Sequence, residues 1–506
     1  MIPLDPAQSR LSDSRELLRG ASVNLLGILA KSSRTLVTLF VTRVSGPAVF
    51  GLFTLANGVV EVGTRLSIFG MDKSLLTFIP EARRGTGAGD GEYRLLSAAF
   101  LISQVLAGSL TLALLAGAPW ISSAWFGMPE LVWPLRLMAL AILPVTLMNL
   151  ALAATKALKI MAYDALVAGA LFPLALLLFA VPILWVEQDA EALSLAYTLT
   201  GVVGAAVALW FFRRHYSLPG ALARRPGGAL KRMISFSTPL GLHDFVLYLA
   251  MKLELFVVAF FLEPAAVGIY ALAAELAFVM KKFRQIFDPI LLPILSEARV
   301  GDQEERVQEN LARVVRWILV PGILYLAAVV LFARPILGIF GEEFRMGGPV
   351  LVLLCGAQLA NVGTGPLDLA MIASGRPRIN LLNISLILLV QTGLNLWLIP
   401  RYGLPGAGAA ALAAFLFVGL VRFGQGLLIL RVNPFHPAQL KPLTAGVAAG
   451  LGVALVRWLL PVPDLPFLWI GGLVAMALLY VLVLRLLGLE EEDTKLVKTL
   501  MTGGQG

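Results

Sequence analysis

Long apolar runs separated by short polar breaks fill most of this chain of 506 residues. Runs such as 96–125, 166–186 and 465–487 each reach or exceed the roughly 20 residues that a helix needs to cross the hydrocarbon core of a membrane. The pattern therefore predicts an all-α polytopic membrane protein with about fourteen transmembrane helices. These helices are predicted near residues 18–43, 48–71, 94–125, 131–155, 160–186, 190–212, 233–262, 266–294, 311–339, 346–374, 379–400, 404–430, 439–460 and 465–488.

The composition agrees with a membrane fold and accounts for the basic charge. Hydrophobic residues make up 58% of the chain and charged residues only 14%, with a net charge of +9. Most Lys and Arg residues fall in segments on one side of the predicted helices, which the positive-inside rule assigns to the cytoplasm. The net charge therefore reflects topology and does not indicate a nucleic-acid partner. The segments predicted to face outward hold only Arg43, Arg334, Arg345, Arg401 and Arg457.

The chain ends and the rare residues exclude several classes of chemistry. The first sixteen residues are polar and lack the apolar core of a signal peptide, so we expect the N-terminus to stay in the cytoplasm. An even helix number places the C-terminus there too, which predicts a multi-pass protein of the cytoplasmic (inner) membrane. The single cysteine, Cys355, forms no intrachain disulfide, and three scattered histidines do not indicate a metal site. No metal or cofactor is therefore expected.

An internal repeat divides most of the chain into two similar halves. Segment 47–56, PAVFGLFTLA, recurs at 264–273 as PAAVGIYALA, an offset of 217 residues that also relates Lys159 to Arg376. Because one period holds six predicted helices, both copies enter the membrane in the same direction. The sequence thus predicts two parallel six-helix repeats plus two C-terminal helices. The predicted domains are a cytoplasmic N-terminus (1–17), an N-lobe (18–212), a cytoplasmic linker (213–232), a C-lobe (233–430), the last helix pair (431–488) and a cytoplasmic tail (489–506).

Six short motifs are distributed along the chain. They are Gly-Pro-Ala-x-Phe-Gly-Leu-Phe at 46–53, Phe-Gly-Met at 69–71, Lys-Leu-Glu at 252–254, Val-Gly-Ile-Tyr at 267–270, Phe-Gly-Glu-Glu-Phe at 340–344 and Ala-Ser-Gly-Arg at 373–376. Together they resemble the polysaccharide-transporter branch of the multidrug/oligosaccharidyl-lipid/polysaccharide exporter superfamily, and the likeness spans about residues 20–487. In that family the acidic position of the seventh helix is commonly Asp, whereas this chain has Glu254.

The resemblance implies a transporter and not an enzyme. Its expected activity is that of a flippase, which moves a polyprenyl-diphosphate-linked oligosaccharide of O-antigen, capsule or exopolysaccharide type from the cytoplasmic to the outer leaflet by alternating access. The resemblance also implies a glycan polymerase and glycosyltransferases as partners, in addition to the membrane lipids.

Ionisable residues inside predicted helices are the candidates for substrate binding. A charge at the bilayer centre costs about 2.5 to 3.5 kcal/mol on insertion scales, so each charged residue there is expected to have a structural or functional role. Arg holds phosphate oxygens bidentately and Lys supplies a point charge, which suits the diphosphate of such a lipid. Spacing alone also allows an intrahelical Glu61–Arg65 pair, and lysines near a helix end can reach the headgroups. The predicted diphosphate ligands, which would line one cationic central cavity, are Lys31, Arg34, Arg65, Lys252, Lys281 and Arg284.

Acidic residues within the helices are candidates for energy coupling. An intramembrane carboxylate can take up a proton or a sodium ion during transport, or it can neutralise a neighbouring cation. Both interpretations are open from the sequence. The candidates are Glu61, Asp244, Glu254, Glu275 and Asp368.

Two other functions are compatible with parts of this pattern. A cation-coupled multidrug exporter would share the fold, but the basic first helix argues against a site for cationic drugs. A membrane-embedded glycan polymerase or ligase would need polar catalytic loops, whereas the predicted outer loops at 187–191 and 263–265 are short and hold no such constellation.

Overall fold

A computed structural model describes residues 33–84, 89–300, 304–433, 437–459 and 466–488. Every regular element in these ranges is a helix. The α-helices are α1 (Ser33–Ile68), α2 (Met71–Arg84), α3 (Asp90–Trp120), α4 (Val132–Ala139), α5 (Ile142–Ala157), α6 (Ala162–Asp164), α7 (Phe172–Val186), α8 (Ala190–Arg213), α9 (Leu218–Ala223), α10 (Gly228–Phe261), α11 (Pro264–Ala277), α12 (Val279–Gln285), α13 (Asp288–Val300), α14 (Glu304–Gly338), α15 (Gly348–Thr364), α16 (Pro366–Ala373), α17 (Pro377–Tyr402), α18 (Leu404–Gln425), α19 (Leu440–Leu459) and α20 (Pro466–Leu486).

Short turns of other helix types extend several of these elements. The π-helical turns are Ile121–Trp125, Ala165–Leu171 and Gly426–Leu430, and the 3₁₀ turns are Pro129–Leu131, Glu342–Gly347 and Pro437–Gln439.

The described residues contain twelve helical stretches that are long and apolar enough to cross a membrane. The predicted all-α membrane fold is therefore confirmed, and the twelve stretches roughly match the predicted fourteen helices. They are Thr35–Arg84, Asp90–Trp125, Pro129–Ala157, Ala162–Val186, Ala190–Arg213, Pro264–Arg299, Glu304–Gly338, Glu342–Ala373, Pro377–Tyr402, Leu404–Leu430, Pro437–Leu459 and Trp469–Leu486.

The twelve described stretches and the fourteen predicted helices differ at two places in the chain. The first stretch, Thr35–Arg84, is 50 residues long and contains a break at Gly46, whose φ of 73° and ψ of 179° are not helical. Gly tolerates a positive φ without a steric cost, and Pro47 then starts a new helical direction. The 34-residue helix α10 is long enough to cross a membrane, but it carries several charged side chains and is not among the twelve.

The chain forms two compact units, divided between Ala271 and Leu272. The first unit, which includes α10, is packed around fully buried side chains such as Leu55, Leu96 and Phe212. The domain boundaries that the sequence predicts stay a prediction.

The second unit has two apolar cores of its own. One core surrounds Leu291, Val314 and Met371, and it joins α13, α14 and α16. The other holds Phe332 of α14 together with Ala449 of α19 and Tyr480 of α20, so the last two helices pack against α14. Tyr480 also donates its hydroxyl to the Val320 carbonyl at 2.8 Å, which fixes α20 on that helix.

Large apolar side chains cover much of the outer surface. Leu178, Trp185 and Leu428 expose 71%, 83% and 84% of their areas. A soluble protein rarely shows apolar patches on this scale, whereas a lipid environment favours them. The exposed surface therefore agrees with a multi-pass membrane protein.

Candidate functional site

Charged residues of α1 and α10 meet within the first unit. The Lys252 ammonium lies 2.6 Å from Oε2 of Glu61, and the two side chains are 21% and 28% exposed. Asn57, one turn before Glu61, donates its amide to Oε1 at 3.1 Å. The Glu61 carboxylate thus holds a cation from the neighbouring helix and an amide from its own.

Arg65 lies one turn beyond this ion pair. Its guanidinium carbon is 4.4 Å from the ring centroid of Tyr248, which is a cation–π contact. The described contacts therefore favour Glu61–Lys252 over the intrahelical Glu61–Arg65 pair that spacing also allows. No described contact joins Arg65 to a carboxylate, so its guanidinium hydrogens are available to an anionic ligand.

Another ion pair joins α2 to α10. It lies nearer the end of α10 that is predicted to face the cytoplasm. The Lys73 ammonium is 2.6 Å from Oδ1 of Asp244, whose side chain is only 16% exposed. Nδ1 of His243 lies 3.3 Å from the same oxygen. Asp244, a predicted coupling residue, is thus held by two basic side chains of the first unit.

Glycines bring the backbones of these helices together at the same end. A Cβ on Gly241 would lie 2.7 Å from the Phe69 carbonyl carbon, and one on Gly70 would lie 2.9 Å from the Gly241 nitrogen. The hydroxyls of Ser74 and Ser237 form a short hydrogen bond beside this crossing. The crossing excludes any larger residue at either glycine.

The two copies of the sequence repeat contact each other inside the first unit. A Cβ on Gly51 would lie 2.7 Å from the Gly268 nitrogen, and one on Gly268 would lie 2.9 Å from the Gly51 nitrogen. The carbonyl oxygens of Pro264 and Pro47 lie still closer to these two positions. Gly51 and Gly268 are separated by the repeat offset of 217 residues, so they occupy equivalent positions in the two copies. Each glycine therefore lies against the backbone of its own counterpart.

The remaining acidic candidates of α10 and α11 lie partly buried. Glu254 is half-buried and interacts with Tyr270, whose ring is 3% exposed. Glu275 is half-buried on the part of α11 that belongs to the second unit. Their coupling roles stay predictions.

In the second unit, Arg284 lies against the break between α15 and α16. Its Nε donates to Oδ1 of Asp288 at 3.1 Å, and its side chain is 16% exposed. A Cβ on Gly365 would lie 2.6 Å from the Arg284 guanidinium carbon, so the absent side chain makes room for the guanidinium. Lys281 lies nearby in sequence, and its ammonium is 5.0 Å from the Phe278 ring centroid.

We expect Gly365→Ala to displace Arg284 and to lower the thermal unfolding temperature by several degrees. The new methyl group occupies the guanidinium position, so the bond to Asp288 is lost or the helices separate. Loss of a hydrogen bond to a charged group such as Asp288 costs about 1.5 to 3 kcal/mol. Gly363→Ala is the matched control, because its Cβ would meet only Leu319 at an ordinary 3.6 Å. Equal behaviour of the two variants would contradict the expected displacement.

A buried ion pair in the second unit joins α16 to α18. Arg422 donates from Nε to Oδ1 of Asp368 at 3.1 Å, and its Nη2 lies 2.6 Å from Oδ2, so the pair is bidentate. The two side chains are only 3% and 8% exposed. Asp368, a predicted coupling residue, therefore has an internal counter-cation.

Amides from two further helices complete this network. Nη1 of Arg422 donates to Oδ1 of Asn361 at 3.0 Å. Asn383 donates to Oδ1 of Asp368 at 3.2 Å, and its amide exchanges two hydrogen bonds with Gln425 at 2.9 and 2.8 Å. The polar groups of α15, α16, α17 and α18 thus satisfy one another away from solvent.

The structure places the predicted diphosphate ligands in both units. Arg65 and Lys252 belong to the first unit, and Lys281 and Arg284 belong to the second. Lys31 lies outside the described residues, and for Arg34 only the helical backbone position is described. Convergence of these residues on one cavity stays a prediction.

Sequence reasoning missed Arg422 and the amides around it. Arg422 is the one charged residue of the sequence run 411–430, which is a signal of the same kind as Arg65, and it marks the network in retrospect. Asn361, Asn383 and Gln425 carry no such signal, because single amides are common in membrane helices.

Comparison with solved structures places this fold among transporters. Lipid II flippase MurJ in an inward closed conformation matches with a TM-score of 0.71 at 12% identity, over 91% of this chain and 98% of MurJ. An inward-facing multidrug resistance MATE family transporter of the MOP superfamily matches with a TM-score of 0.66 at 13% identity, over 79% and 94% of the chains. A MOP superfamily transporter from Pyrococcus furiosus, described as having a binding pocket of reverse polarity, matches with a TM-score of 0.55 at 16% identity, over 83% and 98%.

These likenesses define a multi-pass membrane protein with the fold of MOP superfamily transporters. A profile of the polysaccharide biosynthesis protein family matches residues 40–345, and the chain belongs to that family. The resemblance that the short motifs indicate is thereby confirmed. No curated protein sequence matches.

Proposed function

We propose that this protein is a flippase that carries a polyprenyl-diphosphate-linked oligosaccharide from the cytoplasmic to the outer leaflet of the inner membrane, with both chain ends in the cytoplasm. Membership of the polysaccharide biosynthesis family and the likeness of the fold to a lipid II flippase support this substrate class. The protein acts as a transporter and not as an enzyme. The glycan polymerase and glycosyltransferases that make and use such a substrate are proposed partners.

The observation that carries the proposal is the environment of Arg65. Its guanidinium is half-buried over Tyr248, while the adjacent Lys252 charge is matched by Glu61. The group therefore adds a net positive charge within the membrane-spanning part of the first unit. A diphosphate would accept hydrogen bonds from this guanidinium, and charge-assisted bonds of this type are stronger than neutral ones.

Transport would proceed by alternating access. The Gly51–Gly268 contact and the Gly70–Gly241 crossing are two close backbone approaches of α10 and α11 to the α1–α2 region. In this proposal one of these contacts separates to admit the substrate and the other separates to release it. A proton or sodium ion would drive the cycle through one of the acidic candidates.

We expect Arg65→Gln to slow flipping at least tenfold without loss of folded protein. Hydrogen bonds to charged groups contribute about 1.5 to 3 kcal/mol, and 1.4 kcal/mol is a factor of ten. The assay uses the purified protein in proteoliposomes with a labelled polyprenyl-diphosphate oligosaccharide, and it follows access of an external glycan-modifying enzyme. Arg65→Lys keeps the charge and should retain part of the rate.

Arg401→Gln is the matched control for this measurement. Arg401 also makes a cation–π contact, 4.7 Å from the Trp397 ring, but it lies exposed near the predicted outer end of α17. Its variant should flip at the native rate. Native flipping by Arg65→Gln would remove Arg65 from the site. Absence of flipping by the native protein, together with efflux of organic cations along an ion gradient, would replace the flippase with a multidrug exporter.

A further inference from the structure

An open groove lies in the first unit between α2 and the N-terminal part of α10. Its volume is about 500 Å³. The α10 positions that line it recur every three or four residues, so they share one face of that helix. Phe78 of α2 forms the opposite wall. The lining residues are Phe78, Arg232, Ser235, Phe236, Pro239 and Leu240.

Most of the residues that line the groove are apolar. The rings of Phe78 and Phe236 are in contact, with centroids 4.9 Å apart. Phe236 remains 37% exposed, so its ring is open to a ligand. Between positions 232 and 240 the helix rises about 12 Å, which is enough length for a hydrocarbon chain to lie along it.

The rim of the groove is cationic. Nη2 of Arg232 donates to both carboxylate oxygens of Glu81, at 2.8 and 2.7 Å, and its guanidinium carbon lies 4.3 Å from the Phe78 centroid. Lys231 and Arg84, which adjoin these residues in the chain, are exposed, so the rim carries a net positive charge.

The ion pair at the rim can be exchanged at little cost. Arg232 and Glu81 are 53% and 58% exposed, and exposed ion pairs contribute only about 0 to 1 kcal/mol. A phosphate oxygen can accept from the same guanidinium nitrogen, and two phosphate oxygens can also accept bidentately from a guanidinium. A phosphate can therefore replace Glu81 on Arg232.

A polar backbone group lies between the rim and the apolar part. Pro239 has no N–H, so the Ser235 carbonyl, four residues earlier, lacks its usual helical donor. Ser235 is exposed in the groove, so a ligand can supply that donor. A hydroxyl group one helical turn from the phosphate fits this position.

We propose that this groove binds an anionic glycerophospholipid of the phosphatidylglycerol type. The phosphate binds Arg232, a headgroup hydroxyl donates to the Ser235 carbonyl, and one acyl chain lies along Phe236, Pro239 and Leu240. The charge distribution predicts that this end of α10 faces the cytoplasm, where basic residues and anionic lipids meet. The rim charge complements an anionic headgroup and disfavours a purely cationic one.

The test measures lipid binding by the delipidated full-length protein in detergent, with phosphatidylglycerol and phosphatidylcholine of identical chains, by native mass spectrometry. We expect Arg232→Gln to weaken phosphatidylglycerol binding about fivefold, the usual effect of one basic residue near an anionic surface. Glu81→Gln should strengthen it, because the competing carboxylate is gone. Arg214→Gln should leave it unchanged, since Arg214 is an exposed arginine that lies over Trp210 at 3.8 Å and does not line the groove.

Three results would overturn the proposal. Equal losses for Arg232→Gln and Arg214→Gln would show that only total charge matters. Displacement of the lipid by water-soluble glycerol phosphate at similar concentration would make the groove a phosphate site without a role for the chain. Preferential binding of a polyprenyl phosphate, with no dependence of phosphatidylglycerol binding on Arg232, would assign the groove to the substrate.

Discussion

Replacing either Arg422 or Asp368 with Leu should lower the free energy of unfolding by about 3 to 5 kcal/mol, the usual cost of leaving one member of a buried ion pair without its partner. Both side chains are almost completely buried, so bulk solvent does not reach the site to replace a lost partner. In Arg422→Leu, the described hydrogen bond that remains to the Asp368 carboxylate comes from the Asn383 amide. Reversible unfolding in mixed micelles, followed by tryptophan fluorescence, measures the change.

The double variant Asp368→Leu/Arg422→Leu measures how strongly the two residues interact with each other. Removal of both charges leaves neither member of this pair without its partner, so the double variant should lose much less than the sum of the single losses. Arg232→Leu provides a control at an exposed pair and should cost less than about 1 kcal/mol. Additive losses at 368 and 422 would contradict an energetically coupled pair.

This pairing bears on the proposed energy coupling. A carboxylate that already holds a guanidinium in two hydrogen bonds can accept a transported cation only if Arg422 moves away. Glu61 is in a similar position, since Lys252 contacts it, but that pair is 21% and 28% exposed, whereas Arg422 and Asp368 are 3% and 8% exposed. Among the acidic candidates, Glu61 therefore changes its partners at a lower cost than Asp368 does.

The sequence was sufficient to predict the helices and the class of fold. Apolar runs of membrane length mark almost every span, because a membrane requires both the length and the composition. The exceptions follow from the same physics. Helix α10 carries Asp244, Lys252 and Glu254, which reduce its apolar character, and the break at Gly46 depends on the backbone angles of a single residue.

The partners of the charged residues could not be predicted. Lys252 and Glu61 are 191 residues apart, and Arg422 and Asp368 are 54 apart, so no helical spacing relates the members of either pair. Local spacing instead suggested the pair Glu61–Arg65. Which helix faces which is decided by packing over the whole unit, and the periodicity of one helix contains no information about its neighbour.

For the repeat motif, the sequence predicts the duplication, and the structure shows how the two copies pack. Its recurrence at 47–56 and 264–273 is visible in the sequence and predicts a duplicated structure. That the two copies contact each other through Gly51 and Gly268 is visible only in the structure. The glycines themselves were part of the motif, yet a glycine in a membrane helix is too common to indicate a close approach by itself.

Gly51→Ala should destabilise the first unit strongly for a change of a single methyl group. Its Cβ would collide with the Pro264 carbonyl and the Gly268 nitrogen, which are backbone atoms and cannot rotate away. The helices must separate, at a cost of about 1 to 3 kcal/mol or more for overpacking. Gly268→Ala should have the same effect. The double variant should cost less than the sum, because one separation accommodates both methyl groups.

The same substitution should shift the protein toward a state in which this contact is open. Ala56, one turn beyond Leu52 on α1, is fully buried, and the native Cys355 is buried as well. A cysteine introduced by Ala56→Cys therefore reports opening through its reaction with a membrane-impermeant maleimide. We expect faster labelling when Gly51→Ala is added, and unchanged labelling with Gly108→Ala, whose Cβ would meet nothing within 4 Å. Labelling that is equally slow in both backgrounds, with native thermal stability, would show that the Gly51–Gly268 contact does not hold this end of the first unit closed.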